Sequence, residues 1–257
     1  ILMKSYYVGI DIGTFSSRGI LLDTAFRVVA DASTPHGMDN PKPGWFEQDA
    51  QEVWWKDLCI LSHKLLDQSG IDPHEIACIG VSALGTDCLP VDENCTPLRP
   101  AILYGIDSRA SEEILWLTEY YGDEKVLQLF GHPICSGDTA TKILWLRRHE
   151  PEVYEKTYKF LTGSSYLTAK LTGRYVIDQF LAKGSFRPLY REDGSVNPDT
   201  CGLFCRPDQI AEAVVSSDVV GTVTYDASVQ TGFAEGTPVI TGTGDSTSEA
   251  ISVGLVE

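Results

Sequence analysis

The chain opens with Tyr6-Tyr7-Val8-Gly9-Ile10-Asp11-Ile12-Gly13-Thr14-Phe15-Ser16-Ser17-Arg18, an apolar run that carries a carboxylate into a tight turn of glycine and hydroxyl residues. Two further strand-like runs follow at once, over residues 18–23 and 27–31. These runs are short, close together and joined by turns, which favours an antiparallel meander over a βαβ opening. Residues 34–44 hold Pro35, Pro41 and Pro43 and read as a loop. Asp49 then caps a helix, with Glu52 three positions on and an apolar stripe of Val53, Trp54, Leu58, Leu61, Leu65 and Leu66 that ends at Gly70. Residues 76–83 are nearly all apolar, which predicts a central strand covered on both faces. The order β-β-β-α-β does not suit a doubly wound dinucleotide fold, and no Gly-x-Gly-x-x-Gly follows the first strand. It predicts an α/β domain with a mixed sheet opening in an antiparallel hairpin.

The remainder reads as short strands over 89–92 and 101–104, helices over 108–121, 139–148 and 166–172, a turn-rich tract over 180–205 and a strand over 239–241. At 257 residues the chain can bury a full core, as one large domain or two small ones.

The formal charge of −16, from 36 acidic against 20 basic residues, leaves no basic stripe and argues against a nucleic-acid partner. No run of 18 apolar residues exists, so no membrane span is expected. The first residues lack a signal-peptide layout, and the seven cysteines are odd in number and scattered. Both point to a reducing, cytoplasmic setting. Cys201 and Cys205 have no second pair at metal-ligand spacing.

The chemistry sits in two acid-bearing loops. In the first, Asp11 offers a hard oxygen for Mg²⁺, while Gly13, Thr14, Ser16 and Ser17 supply backbone amides and hydroxyls that can cradle phosphate. An ordinary hairpin turn uses the same residues. An aspartic protease wants Asp-Thr/Ser-Gly, which Asp11-Ile12-Gly13 is not. In the second, residues 239–244 lead through Gly242 and Gly244 to Asp245 and a helix start rich in small residues. An acid near a helix N-terminus tends to stay ionised, which suits accepting a hydroxyl proton during phosphoryl transfer. A plain N-cap would look alike.

Together these loops resemble the FGGY carbohydrate kinases, most of all the xylulose kinase branch. The similar stretches include residues 44–49 (Gly-Trp-Phe-Glu-Gln-Asp), 100–109 with Asp107 and Arg109, 140–151 with Ala140-Thr141-Lys142, and Leu171-Thr172-Gly173. The resemblance implies an actin-like, ribonuclease H-like ATPase domain that phosphorylates a sugar or polyol hydroxyl with ATP and Mg²⁺. It implies Asp245 as the base, Asp11 as the metal-associated acid, and Gly13, Thr14, Ser16 and Ser17 as the phosphate turn. Thr86 and Asp87 would lie in the sugar-facing loop, with Trp45 and Asp107 as further substrate-side residues. Lys142 is given no catalytic role.

Xylulose kinases usually carry Met-His where Gly85-Thr86 stands, glycerol kinases carry Arg-Glu there, and the segment after Asp178 departs from the family's Ser/Ala-rich pattern. The sugar is therefore open among pentuloses, hexuloses and polyols.

Family members are about twice as long. The resemblance places a sugar-side domain over residues 1–238 and the start of a C-terminal kinase domain over 239–257, with the rest of that domain as the missing partner and a homo-oligomer as an open possibility. The isolated chain is expected to show little kinase activity. A non-catalytic sugar-binding or regulatory actin-like domain is the alternative. An actin-like chaperone or filament ATPase is disfavoured by residues 45–49 and 107–109.

Overall fold

The opening meander forms as the spacing predicts. Strand β1 (Tyr6–Ile12) pairs antiparallel with β2 (Ser16–Asp23), and β2 pairs antiparallel with β3 (Val28–Pro35). A computed structural model describes residues 5–254; residues 1–4 and 255–257, the outer ends of the two expected domain segments, lie outside it. β3 runs on into the segment read as loop, with Pro35 opposite Ser16. It is an edge strand, where proline's missing N–H removes no ladder bond.

β4 (Ile76–Ala83) lies parallel to β1 in the middle of the sheet. β5 (Val219–Thr222), β6 (Pro238–Ile240) and β7 (Thr243–Gly244) complete it, in the order β5-β6-β4-β1-β2-β3 with β7 also parallel to β4. The result is a mixed α/β sheet opening in an antiparallel hairpin, of the actin-like ATPase type. β6 and β7 satisfy backbone groups on the free side of β4, so residues 238–244 belong to the same sheet as β1.

One face of the sheet is the core. Val8, Ile10 and Ile12 of β1 and Ile76, Ile79, Val81 and Ala83 of β4 are buried there. Helices α1 (Lys56–Ser69) and α3 (Gly163–Thr172) cover it, and α2 (Thr139–His149) belongs to a second helical layer. Asp49 accepts hydrogen bonds from the Gln51 and Glu52 amides, as its position predicts, and Gly70 ends α1 in the left-handed conformation. Between cap and α1, Ala50–Trp55 winds as a π-helical segment that turns Trp54 and Trp55 inward. Both rings are buried, which removes enough apolar area for roughly 4–6 kcal/mol each before entropy. Trp54 meets Tyr166 of α3 edge-on at 6.1 Å, joining the two helical elements over the sheet. Gly19 of β2 gives α1 room: a Cβ there would stand 3.1 Å from Leu65 and 3.3 Å from Leu61.

The other face departs from the prediction for β4. Gly80 and Ser82 are only half-buried and, with Gly9, Asp11, Arg18 and Ile240, line a groove of about 1070 Å³. Small residues alternate with apolar ones along β4, and that alternation leaves the second face open. Helix α4 (Asp245–Ser252) closes one end of the groove through Ser248 and Ile251. Among the described residues, no helix is long and apolar enough to cross a membrane.

Candidate active site

Register places the first acid. Arg18, Asp11, Ser82 and Thr243 stand opposite one another on β2, β1, β4 and β7, a row across the carboxyl ends of β1 and β4. Neighbouring strands lie about 4.8 Å apart, so Asp11 and Thr243 are separated by roughly 10 Å of backbone. Asp245 follows two residues later as the first residue of α4. The two expected acids therefore sit at the same end of one sheet. Ser82 Oγ donates to Asp11 Oδ1 at 2.6 Å, and no described residue donates to Oδ2. Burial raises the Asp11 pKa; Ser82 and Arg18 oppose that, while the negative charges of Asp245 and Glu249 add to it. A carboxylate with one oxygen free among like charges fits a divalent cation.

β7 reaches this position because Gly242 has φ +76°, and a Cβ there would stand 2.2 Å from the Val81 carbonyl oxygen. No other residue fits this conformation and approach together.

The turn after β1 is fastened from behind. Gly13 N–H donates to Ser16 O at 3.1 Å, closing the turn. The Gly13 carbonyl accepts from His36 Nε2 at 2.8 Å, which fixes the proton on that nitrogen because a carbonyl can only accept. His36 Nδ1 meets Asp57 Oδ2 at 2.7 Å, and Ser17 Oγ donates to the same oxygen at 2.7 Å. Ser17 is fully buried, and its hydroxyl ties the turn to α1. Thr14 and Ser16 are half-buried, and Thr14 Oγ1 lies 3.2 Å from the Tyr104 hydroxyl.

Asp245 lines a cavity of about 300 Å³ together with Thr14, Gly85, Thr86, Tyr104 and Ser246. Residues from both acid loops thus open onto one space, and α4 spans the wall between it and the Asp11 groove. Gly244 is the N-cap of α4, so Asp245 is inside the helix, where its Oδ1 accepts from Ser246 N at 2.7 Å. The Thr86 carbonyl accepts from the buried Lys142 ammonium at 3.1 Å. Asp87 is fully buried: Oδ1 accepts from the Tyr104 amide at 3.0 Å, and Oδ2 has no partner among the described residues. Burial raises its pKa well above the ordinary carboxylate range, Lys142 and the Tyr104 bond oppose this, and Asp245 adds to it. Asp87 supports the cavity loop from inside and does not line the cavity.

The other two expected substrate-side residues lie elsewhere. Asp107 is buried, accepts the Phe46 amide at 2.7 Å and pairs with Arg109 at 2.8 Å. Arg109 also pairs with Glu47, which in turn pairs with Arg99. Trp45 packs edge-on against Trp145 at 5.2 Å with the Arg109 guanidinium 4.2 Å from its ring. Trp45 and Arg109 line a separate surface pocket, and neither lines the Asp245 cavity.

Sequence reasoning passed over Ser82, His36, Asp57, Tyr104 and Asp178. Asp57 left a trace: an acid one turn from Trp54 and Leu61, on the apolar stripe of a helix, needs a buried partner. Asp178 reaches the second loop through Thr243 Oγ1, which donates to its Oδ1 at 3.1 Å.

Residues 6–252 match the N-terminal domain of the FGGY family of carbohydrate kinases. The chain belongs to that family. The FGGY domain is 30% identical over 253 residues to xylulose kinase of Escherichia coli (strain K12), covering 98% of this chain and 50% of the relative. It is also 30% identical to the L-xylulose/3-keto-L-gulonate kinase of that organism, covering 98% and 51%. The crystal structure of xylulose kinase from Rhodospirillum rubrum superimposes with a TM-score of 0.90 at 30% identity, over 98% of this chain and 51% of that one. The chain spans about half the length of the curated relatives it matches.

Proposed function

We propose that this FGGY domain is the sugar-side half of an ATP-dependent carbohydrate kinase of the ketose type, with the hydroxyl to be phosphorylated bound in the cavity beside Asp245. The observation that carries the reading is the joint lining of that cavity by Thr14 of the first loop and Asp245 of the second, with Asp11 one groove away at the same sheet end. Asp245 aligns the attacking hydroxyl and takes its proton. The 13–16 turn receives phosphate oxygens through its backbone and Thr14, while Ser17 keeps the turn in shape. Asp11 would hold Mg²⁺, directly or through water, and the ion would supply charge neutralisation at the phosphates. Thr86 contributes to the sugar side of the cavity wall, and Asp87 and Asp107 act through the loops they fasten. Trp45 is placed with Arg109 in that supporting network and not against the sugar.

We place the boundary to the partner domain after α4. That domain would close over the cavity and exclude water, so turnover belongs to the longer protein. Gly85 and Thr86 line the cavity, so the small side chains at these positions are part of what the sugar would meet.

The test is a panel of pentuloses, hexuloses and polyols, scored by calorimetry and by ATP consumption in the chain joined to a C-terminal FGGY domain. One sugar should bind and turn over. Asp245→Asn should lower kcat by about 10²-fold or more, the general-base range, while sugar affinity changes little. Unchanged kcat in that variant would remove Asp245 as the base, and no bound sugar across the panel would remove the kinase reading.

A further inference from the structure

The loop between the Asp123–Phe130 helix and α2 gathers ligand chemistry that the kinase reading does not use. His132, Cys135 and Asp138 recur at every third position, and one ligating atom from each lies within 4.8 Å of the others. His132 and Cys135 are exposed, and Asp138 is buried beneath them.

The geometry suits a tetrahedral ion. His132 Nε2 lies 3.4 Å from Asp138 Oδ1. A nitrogen and an oxygen bound to one zinc at about 2.0–2.2 Å each stand roughly 3.3 Å apart, so this pair already has its bridged separation. A sulfur at about 2.3 Å from the same ion would stand roughly 3.6 Å from either, so the exposed thiol closes by at most about 1.2 Å.

Each ligand is oriented by a second bond. His132 Nδ1 lies 2.8 Å from the Pro133 carbonyl, which can only accept. Nδ1 therefore donates, and Nε2 is the nitrogen that faces Asp138. Asp138 Oδ2 accepts the Cys135 amide at 2.8 Å, which leaves Oδ1 for the histidine side.

We propose that His132, Cys135 and Asp138 form a site for a borderline-soft divalent cation of the zinc class, with water in the fourth position. A thiolate and an imidazole select such an ion over Mg²⁺, so this site is chemically distinct from Asp11. None of the three residues lines the Asp245 cavity, so the ion would fasten a loop and take no part in the reaction. The fastening reaches the cavity by a short route: the Ser136 carbonyl accepts from Lys142 Nζ at 2.6 Å, and the same ammonium holds the Thr86 carbonyl. Binding forms the metal–sulfur bond as the Cys135 proton leaves to solvent, so affinity falls with falling pH.

The test uses chelator-treated protein titrated with Zn²⁺ by calorimetry and with Co²⁺ as a spectroscopic probe. A single Co²⁺ should give a thiolate charge-transfer band that Zn²⁺ displaces and excess Mg²⁺ does not. Zn²⁺ should also protect Cys135 from iodoacetamide, read on the peptide carrying residues 132–138. His132→Ala and Cys135→Ala, both at exposed positions, should each weaken binding by more than the about 10–100-fold that follows loss of a partner to a ligand. Zn²⁺ binding of equal strength in wild type and Cys135→Ala, displacement by Mg²⁺, or no thiolate band would overturn the proposal and leave a surface His–Asp pair beside an ordinary thiol.

Discussion

Replacing Asp178 with asparagine isolates the electrostatic cost of the link between the two halves of the site. Oδ1 of Asp178 accepts three donors, the Phe180 and Leu181 amides at 3.0 and 3.2 Å and the Thr243 hydroxyl at 3.1 Å. Oδ2 is buried with no partner among the described residues, so it is the atom that gains from a proton. Burial raises the pKa from 3.8 to about 6, against the lowering effect of those three bonds. The folded protein therefore binds more protons at this residue than the unfolded chain between about pH 4 and pH 6, and stability falls as pH rises through that window. At about 1.4 kcal/mol for each tenfold, the full loss is roughly 3 kcal/mol, complete above about pH 6 and absent below about pH 4. The asparagine side chain of Asp178→Asn keeps the capping oxygen and carries no charge. Urea unfolding of both proteins at half-unit steps from pH 4 to 7 should show wild type losing stability relative to Asp178→Asn by a few kcal/mol, with unchanged denaturant slopes. Parallel pH profiles would refute the argument, because they would mean the buried oxygen carries no desolvation cost.

Gly242→Ala should lower stability by about 3 kcal/mol or more, since it adds a left-handed strain term to a contact at 2.2 Å from the Val81 carbonyl. A shift below about 1 kcal/mol in urea titration would show that β7 can move away freely. Asp57→Ala should cost about 2–4 kcal/mol by stranding the buried Ser17 hydroxyl and His36, and should weaken Mg-ATP binding in the two-domain protein more than sugar binding. Equal losses for both ligands in calorimetry would separate the Asp57–His36 pair from the phosphate turn.

Much of the sheet was legible because its signals are local. A carboxylate at the end of an alternating run, a meander of short runs joined by turns, and a capped helix with an apolar stripe each need only a short window of sequence. The acid loops were legible for the same reason. What stayed hidden depends on partners far along the chain. Asp57 binds a hydroxyl 40 residues earlier, and Asp178 meets Thr243 65 residues later. Trp45 meets Arg109 and Trp145 in space, partners that no short window of sequence brings beside it. The Asp123–Phe130 and Pro151–Lys156 helices are shorter than the roughly 11 residues over which apolar periodicity identifies a helix. The open face of β4 was hidden because glycine and serine count as neutral in an apolar run, although they are what leave it uncovered.

The hydrogen bonds from Gly13 O through His36 to Asp57 make the first turn a passenger of the core helix. Loops that meet ligands usually open at low cost, but this one cannot rearrange without disturbing an acid on α1. Amide exchange at Gly13 should then report breathing of the whole sheet–helix unit, and binding at the turn would be transmitted to the centre of the domain as added rigidity.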